Sequence, residues 1–154
     1  MTDATPTDQA LARQVVEALR YVVVATAAGD GTPWVSPVYF AADGLTTFWW
    51  VSAPGSTHSR NLAERPAVAL TVFDSTQAVG TGLAVYARAT ARRVDDANVP
   101  EHVRTYSDRS VADGAGVWDA QRLEGSGLAL YRADATELSL LPGRGIDRRI
   151  LLQP

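Results

Sequence analysis

The sequence contains no cysteine and no lysine, and it has only two histidines, His58 and His102. Without cysteine the chain can form no disulfide, no thiolate metal site and no cysteine nucleophile. Without lysine it cannot form a Schiff base, so a pyridoxal-type molecule would be a freely bound ligand. Two imidazoles are too few for a histidine-rich metal centre. These absences leave the chemistry to a few polar groups or to a bound cofactor.

Long apolar runs and clustered positive charge are also missing. The net charge is −3 and the arginines form no basic run, so the chain has no electrostatic footprint for nucleic acid. No apolar run approaches the roughly 20 residues that cross a bilayer, and the opening MTDATPTDQA is unlike a secretion signal. We therefore expect a cytoplasmic protein without a membrane or nucleic-acid partner. Its 154 residues, 46% of them hydrophobic, predict a single domain spanning 1–154.

The hydrophobic pattern predicts a mainly β fold. Residues 6–20 repeat apolar positions at helical spacing and form a predicted helix that packs as a lid. The run RYVVVATAA at 20–28 predicts a strand buried on both faces. Six strands joined by short hairpins predict an antiparallel barrel, because closure removes the sheet edges. The predicted strands span 20–28, 32–42, 46–52, 68–74, 82–94 and 127–141; short helices are predicted at 56–65 and 98–106, and a loop with a helical turn at 107–125.

The most informative stretch is 48–66, FWWVSAPGSTHSRNLAERP, in which an aromatic strand leads into a hydroxyl-rich loop and a short helix. The first turn of a helix has backbone N–H groups without partners and a positive dipole end. Ser56 or Thr57 can cap this helix, and His58 and Arg60 supply cationic donors. The pattern predicts a phosphate site, although an ordinary N-capped surface helix has the same pattern.

Helical spacing sorts these side chains. Thr57, His58 and Asn61 lie three or four residues apart and share one face, whereas Arg60 points away. Arg60 is therefore a weaker candidate for the phosphate. Trp34, Trp49 and Trp50 are candidate walls for a flat ligand, but aromatic strand residues more often belong to a core or an interface. Trp49 and Trp50 are adjacent and face opposite sides, so at most one of them can line the site.

Three segments in this order resemble the pyridoxamine 5′-phosphate oxidase-like family of flavin-binding split barrels: VATAAGDGTPWVSPVYF, WWVSAPGSTHSRNLAERPAVALTVFD and VYARATARRV. The resemblance covers residues 22–94. It implies a six-stranded antiparallel split β-barrel, a homodimer with FMN bound at the subunit interface, and hydride transfer by the flavin to or from a small molecule. It also implies cofactor contacts: Ser36, Pro37 and Val38 beside the isoalloxazine, Val51 and Ser52 beside the ribityl chain and phosphate, and Ser56, Thr57, His58 and Asn61 around the phosphate.

The sequence departs from the family at three places. His58 stands where relatives often carry lysine. The chain ends GIDRRILLQP, without the Arg-x-His segment and the extra basic residues that hold the substrate of true pyridoxamine phosphate oxidases, which argues against vitamin B6 oxidation. Glu137 is followed by Leu138 and Ser139, where many relatives have a Glu-x-Trp pattern, so one flavin-packing aromatic is missing.

Several other functions remain open from the sequence. Related proteins exchange FMN for a deazaflavin cofactor, which makes a deazaflavin-dependent reductase one alternative. A non-catalytic flavin- or haem-binding protein is another, with His58 or His102 as the only imidazoles for a haem iron. A barrel without any cofactor is the third. No Ser/His/Asp grouping defines a triad, and we expect no side chain to act as a catalytic acid or base and no metal site.

Overall fold

The computed structural model describes residues 2–3, 6–143 and 148–153. Strands dominate, and four helices and one 3₁₀ turn connect or cover them. In chain order the elements are β1 (Thr2–Asp3), α1 (Pro6–Ala18), β2 (Tyr21–Ala27), β3 (Pro33–Asp43), β4 (Thr47–Ser52), α2 (Thr57–Glu64), β5 (Ala67–Phe73), β6 (Leu83–Arg93), the 3₁₀ turn Asp96–Asn98, α3 (Val99–Ala112), α4 (Ala120–Ser126), β7 (Ala129–Pro142) and β8 (Ile150–Leu152).

Six of the strands close into an antiparallel barrel. They follow the order β7-β4-β3-β2-β5-β6, and β6 pairs with β7 to complete the ring. β8 pairs with β7 outside the ring, and β1 pairs in parallel with β8. The closed ring leaves none of its six strands as an open edge. The predicted six-stranded antiparallel split β-barrel is therefore confirmed.

Large aromatic side chains fill the barrel. Phe40 pairs in register with Trp50 across β3 and β4, and Trp50 pairs with Tyr131 across β4 and β7. The Trp50 and Tyr131 rings stack with centroids 5.8 Å apart. Because successive strand residues point to opposite faces, Trp49 lies outside the barrel, in a second apolar cluster with Val103 of α3. Both tryptophans are core residues, and neither lines the candidate site.

The prediction that the strand at 20–28, which is β2 in the structure, is buried on both faces was wrong. β2 alternates between buried and more exposed positions along its length. Val22 and Val24 belong to the barrel core, whereas Tyr21 is 61% exposed. Val23, Ala25 and Ala27, on its outward side, are only partly buried within one chain.

Helices α1 and α2 pack on the same barrel core. Val15 and Val16 of α1 and Leu62 of α2 belong to the core cluster that includes the strand interior. α1 covers the barrel as the predicted lid and ends at Ala18. Among the described residues, no helix combines the length and the apolar composition that a bilayer span requires.

The second half contains more helix than the pattern predicted. α3 continues to Ala112, six residues beyond its predicted end, and α4 occupies part of the predicted loop. Ser107 and Ser110 of α3 are buried, and such polar interior positions hide the helical period. Arg109 and Tyr39 both donate to the Asp113 carboxylate, at 2.8 and 3.0 Å, which ties the end of α3 to β3.

Candidate functional site

The candidate site lies where β4 ends and α2 begins. β4 stops at Ser52, and the backbone N–H of Ser56 closes a turn by donating to the Ala53 carbonyl at 3.0 Å. Ser56 is the N-cap of α2, and its Oγ accepts from the Ser59 backbone N–H. Of the two capping candidates in the sequence, the structure therefore uses Ser56. The N–H groups of the first helical turn lie beside the hydroxyls of this loop.

Three serine hydroxyls surround the His58 imidazole. The Nε2 atom lies 2.8 Å from Ser52 Oγ and 3.2 Å from Ser56 Oγ, and the Nδ1 atom lies 3.2 Å from Ser36 Oγ. We call His58, Ser36, Ser52 and Ser56 the serine–histidine cluster. These residues come from β3, the end of β4 and the start of α2, so the barrel fold brings them together.

Burial disfavours the charged form of the His58 ring. Its side chain is only 7% exposed, and this burial lowers the pKa of His58 below its usual value because a charged ring would lose hydration. None of the hydrogen bonds of the cluster within the described residues involves a carboxylate. The cluster is therefore a set of neutral donors and acceptors at the positive end of a helix.

This burial predicts a pH dependence of folding. The unfolded chain binds a proton at His58 near pH 6.5, whereas the folded chain resists protonation, so the unfolded state binds more protons below that pH. We expect the free energy of unfolding of the ligand-free protein to fall as the pH is lowered through about 6.5. Chemical denaturation at several pH values checks this. His58→Gln should show a shallower fall, and parallel curves for the two proteins would contradict the assignment.

The remaining helical candidates lie on different sides of α2. Asn61 is buried, and its Nδ2 donates to Thr26 Oγ1 of β2 at 3.0 Å. Its side-chain amide therefore links α2 to the barrel. Thr57 is half-buried beside the cluster. Arg60 is exposed and donates to the Gly55 carbonyl, pointing away as the helical spacing predicts.

The candidates on β3 and β4 are also divided. Ser36 joins the cluster, but Val38 belongs to the barrel core and Pro37 is exposed on the outer face. Val51 packs against the second apolar cluster outside the barrel. The structure thus gathers Ser36, Ser52, Ser56 and His58. Strand alternation turns Pro37 and Val51 to the opposite face, and Val38, on the same face as Ser36, lies deeper in the barrel core.

One contact of the cluster is absent from the sequence prediction. Trp34 is half-exposed, and its indole Nε1 donates to Ser36 Oγ at 3.0 Å. Trp34 and Ser36 are two residues apart on β3 and therefore share one face. The i, i+2 spacing of an indole donor and a hydroxyl is the signal that was available, but only the fold shows that this hydroxyl reaches His58.

The outer face of β2, β3 and β5 is apolar and partly exposed. The strand register places Tyr21 opposite Tyr39, Val23 opposite Pro37 and Ala25 opposite Val35. Val35 is 62% exposed, and Phe73 of β5 is also exposed. We call this surface the outer apolar face; its residues are Tyr21, Val23, Ala25, Val35, Pro37 and Phe73. Tyr39, at its edge, packs against Tyr106 of α3.

Arginines gather on the other side of α2. A cavity of about 440 Å³ is lined by Arg60, Arg92 and Arg93, with no carboxylate in its lining. Asp134 accepts from Arg92 at 3.0 Å and from Arg132 at 2.7 Å, so one carboxylate serves two guanidinium groups. We call Arg60, Arg92 and Arg93 the arginine groove. In the described part of the chain, no group of side chains has a composition suited to binding a metal ion.

A family model described as pyridoxamine 5′-phosphate oxidase matches residues 9–141. The barrel is also similar to solved structures. The heme binding protein from Mycobacterium smegmatis is 16% identical with a TM-score of 0.73, over 96% of this chain and 59% of that one. A Clostridium acetobutylicum protein related to general stress protein 26 (pyridoxinephosphate oxidase family) is 17% identical with a TM-score of 0.68, over 96% and 95% of the two chains.

HutZ, the heme storage protein from Vibrio cholerae, is 18% identical to this chain. Its TM-score is 0.65, over 81% of this chain and 88% of that one. No curated protein sequence matches the chain. At these identities the solved structures establish a shared fold, and the activity has to be argued from the site.

Proposed function

The chain belongs to the pyridoxamine 5′-phosphate oxidase family, and from this premise we propose that it is an FMN-binding oxidoreductase acting on a small molecule. The observation that carries the proposal is the serine–histidine cluster at the start of α2. Hydroxyls, an imidazole and free helical N–H groups are the donors that a phosphate monoester accepts from. No carboxylate within hydrogen-bond distance of the cluster, in the described chain, opposes an anion there.

The residues present fit the phosphate of FMN. Ser52 and Thr57 supply hydroxyls, Ser56 caps α2, and the N-terminus of α2 adds its backbone N–H groups and the positive end of its dipole. His58 contacts Ser52 Oγ and Ser56 Oγ through its Nε2 atom and so orients both side chains. When bound, FMN supplies the two-electron chemistry through its ring. The side chains of this chain bind and orient the cofactor, and none is assigned as a catalytic acid or base.

We propose that two copies of the chain meet at the outer apolar face. Monomeric soluble proteins seldom expose a continuous apolar patch of this kind. β3 connects the two features, because Ser36 belongs to the cluster while its neighbours Val35 and Pro37 lie on the outer apolar face. A cofactor held by the cluster therefore lies beside the proposed interface, where a second copy can complete its site.

The interface proposal predicts the effect of a charge on this face. Val35→Glu should convert a dimer into a monomer, because a buried carboxylate without a partner is costly. Val117→Glu is the matched control, since Val117 is equally exposed at 62% but lies outside the outer apolar face. Sedimentation velocity measures both. A wild-type monomer, or dimers in both variants, would contradict the proposal.

A deazaflavin cofactor is the second candidate, and the arginine groove favours it. Such a cofactor is longer and more anionic than FMN and calls for additional cationic contacts. Arg60, Arg92 and Arg93 bring positive charge to a cavity wall that also includes Ser59 of α2, and Arg92 and Arg93 are each paired with one aspartate, Asp134 and Asp96. Arginine here replaces the lysine that the sequence lacks.

Haem is the third candidate, because two of the structurally similar proteins are described as haem proteins. Both ring nitrogens of His58 already face serine hydroxyls, so this ring is not free to bind iron. His102 stacks on Trp49 and lines a small cavity with Arg92 and Arg132. His102 is therefore the residue that a haem iron would use.

Absorption spectroscopy of the purified protein separates the candidates. FMN, a deazaflavin and hemin are added in turn, and the bound species is measured after gel filtration. We expect FMN to be retained at one per chain with its fluorescence quenched. Retention of the deazaflavin alone, or a Soret band that disappears in His102→Ala, would replace the FMN proposal with the corresponding alternative.

A further inference from the structure

Hydrogen bonding in the serine–histidine cluster has a definite direction that begins at Trp34. An indole Nε1–H is a donor and never an acceptor. Because Trp34 donates to Ser36 Oγ at 3.0 Å, the Ser36 oxygen accepts a hydrogen bond there and its own proton is available for an acceptor. His58 Nδ1 lies 3.2 Å away. When Ser36 donates to it, Nδ1 is the unprotonated ring nitrogen.

A second contact gives the same result independently. The Ser56 hydroxyl donates to Ser59 Oγ at 2.8 Å, and its Oγ accepts from the Ser59 backbone N–H. When Ser56 donates its only proton to Ser59 Oγ, it acts toward His58 as an acceptor. It lies nearer to Nε2, at 3.2 Å, than to Nδ1, at 3.5 Å. In this arrangement Nε2 carries the ring proton.

This tautomer determines whether the Ser52 hydroxyl can donate a hydrogen bond to a ligand. The shortest contact of the ring is between Nε2 and Ser52 Oγ, at 2.8 Å, and Nε2–H donates in it. The Ser52 hydroxyl then has its own proton free for an acceptor outside the cluster. At the end of β4, beside the N-terminus of α2, a bound anion is such an acceptor.

We propose that Trp34 is a positioning residue that fixes the Nε2–H tautomer of His58 and so turns the Ser52 hydroxyl into a donor toward a phosphate group. On one side of the ring, Trp34 Nε1–H donates to Ser36 Oγ, and the Ser36 hydroxyl donates to His58 Nδ1. On the other side, His58 Nε2–H donates to Ser52 Oγ. The ligand in this inference rests on the proposed function, whereas the tautomer is a property of the protein alone. Trp34 needs no contact with the phosphate.

The tautomer is measured first, in ligand-free protein. ¹⁵N-labelled histidine is followed by long-range ¹H–¹⁵N NMR, in which protonated and unprotonated ring nitrogens have distinct shifts. We expect wild-type His58 to show an unprotonated Nδ1 and a protonated Nε2. Trp34→Phe keeps a ring but removes the indole donor, so the two shifts should move toward each other as the second tautomer becomes populated.

Two further variants keep the test decisive. Ser36→Ala breaks the same link by another route and should move the shifts in the same direction. Trp118→Phe is the matched control, because Trp118 packs against Tyr106 and Arg122, away from the cluster, and it should leave the His58 shifts unchanged. A wild-type ring protonated at Nδ1, or identical shifts in wild type, Trp34→Phe and Ser36→Ala, would overturn the proposal.

FMN titration provides the second readout. Trp34→Phe should weaken FMN binding several-fold, and Trp118→Phe should not. If the tautomer is as stated but wild-type protein binds no FMN, the proposed function fails and the role of Trp34 stands. If FMN binds wild type and Trp34→Phe equally, Trp34 does not orient the donor at Ser52.

Discussion

Trp50→Ala is expected to lower the free energy of unfolding by about 3–5 kcal/mol, the range for truncating a buried tryptophan. Trp50 is fully buried and stacks on Tyr131 inside the barrel. It also pairs in register with Phe40, so its removal opens a cavity between three strands. For a domain of 154 residues this corresponds to a fall in Tm of roughly 10 °C. Thermal and chemical denaturation of the ligand-free protein measure the loss.

Trp50→Phe provides a sharper comparison. The indole Nε1 of Trp50 is buried and has no hydrogen-bond partner among the described residues. Phenylalanine removes that unpaired donor and keeps most of the ring, so the loss should stay below about 1.5 kcal/mol. Trp34→Ala, at a half-exposed tryptophan, should also cost far less than Trp50→Ala. Equal losses in all three variants would contradict the assignment of Trp50 to the core.

His58→Ala should weaken FMN binding by about ten- to a hundred-fold, the value of one hydrogen bond to a charged group. The imidazole lies between Ser36, Ser52 and Ser56, and its loss leaves these hydroxyls without a common partner. The donors would then no longer be held toward the phosphate. Fluorescence quenching of FMN on titration with protein gives the dissociation constant.

The matched control is His102→Ala, which removes the other histidine of the chain at a place outside the cluster. We expect this variant to bind FMN like the wild type. Circular dichroism confirms that both variants are folded at the temperature of the titration. Unchanged binding in His58→Ala would mean that the phosphate is held elsewhere, the arginine groove being the next site to examine.

The sequence was sufficient to predict the barrel, and it singled out the start of α2 as the candidate anion site. Strand periodicity and turn signals predicted six strands, and the hydroxyl-rich start of α2 predicted where an anion would bind. Both are local patterns. The prediction that Arg60 turns away from the site was also local, because it depends on helical spacing alone.

Such local patterns could not predict contacts between distant segments of the chain. Ser36 contacts His58, 22 residues away in the sequence, and Asn61 donates to Thr26, 35 residues away. Only the strand register determines which of these distant residues come together. Helical spacing correctly placed Asn61 beside His58 on the buried side of α2, yet the partner of its amide came from the fold. The exposed side of β2 was missed because a β-branched run is the same whether a neighbouring helix or a second chain covers it.

The central claim is that the serine–histidine cluster at the start of α2 binds the phosphate of FMN. A crystal structure of the protein grown with excess FMN tests it most directly. The expected result is a phosphate within hydrogen-bond distance of Ser52 Oγ and the backbone N–H groups that begin α2, with the flavin ring between two copies of the chain. FMN bound elsewhere, or a cluster still closed on itself beside unbound cofactor, would contradict it.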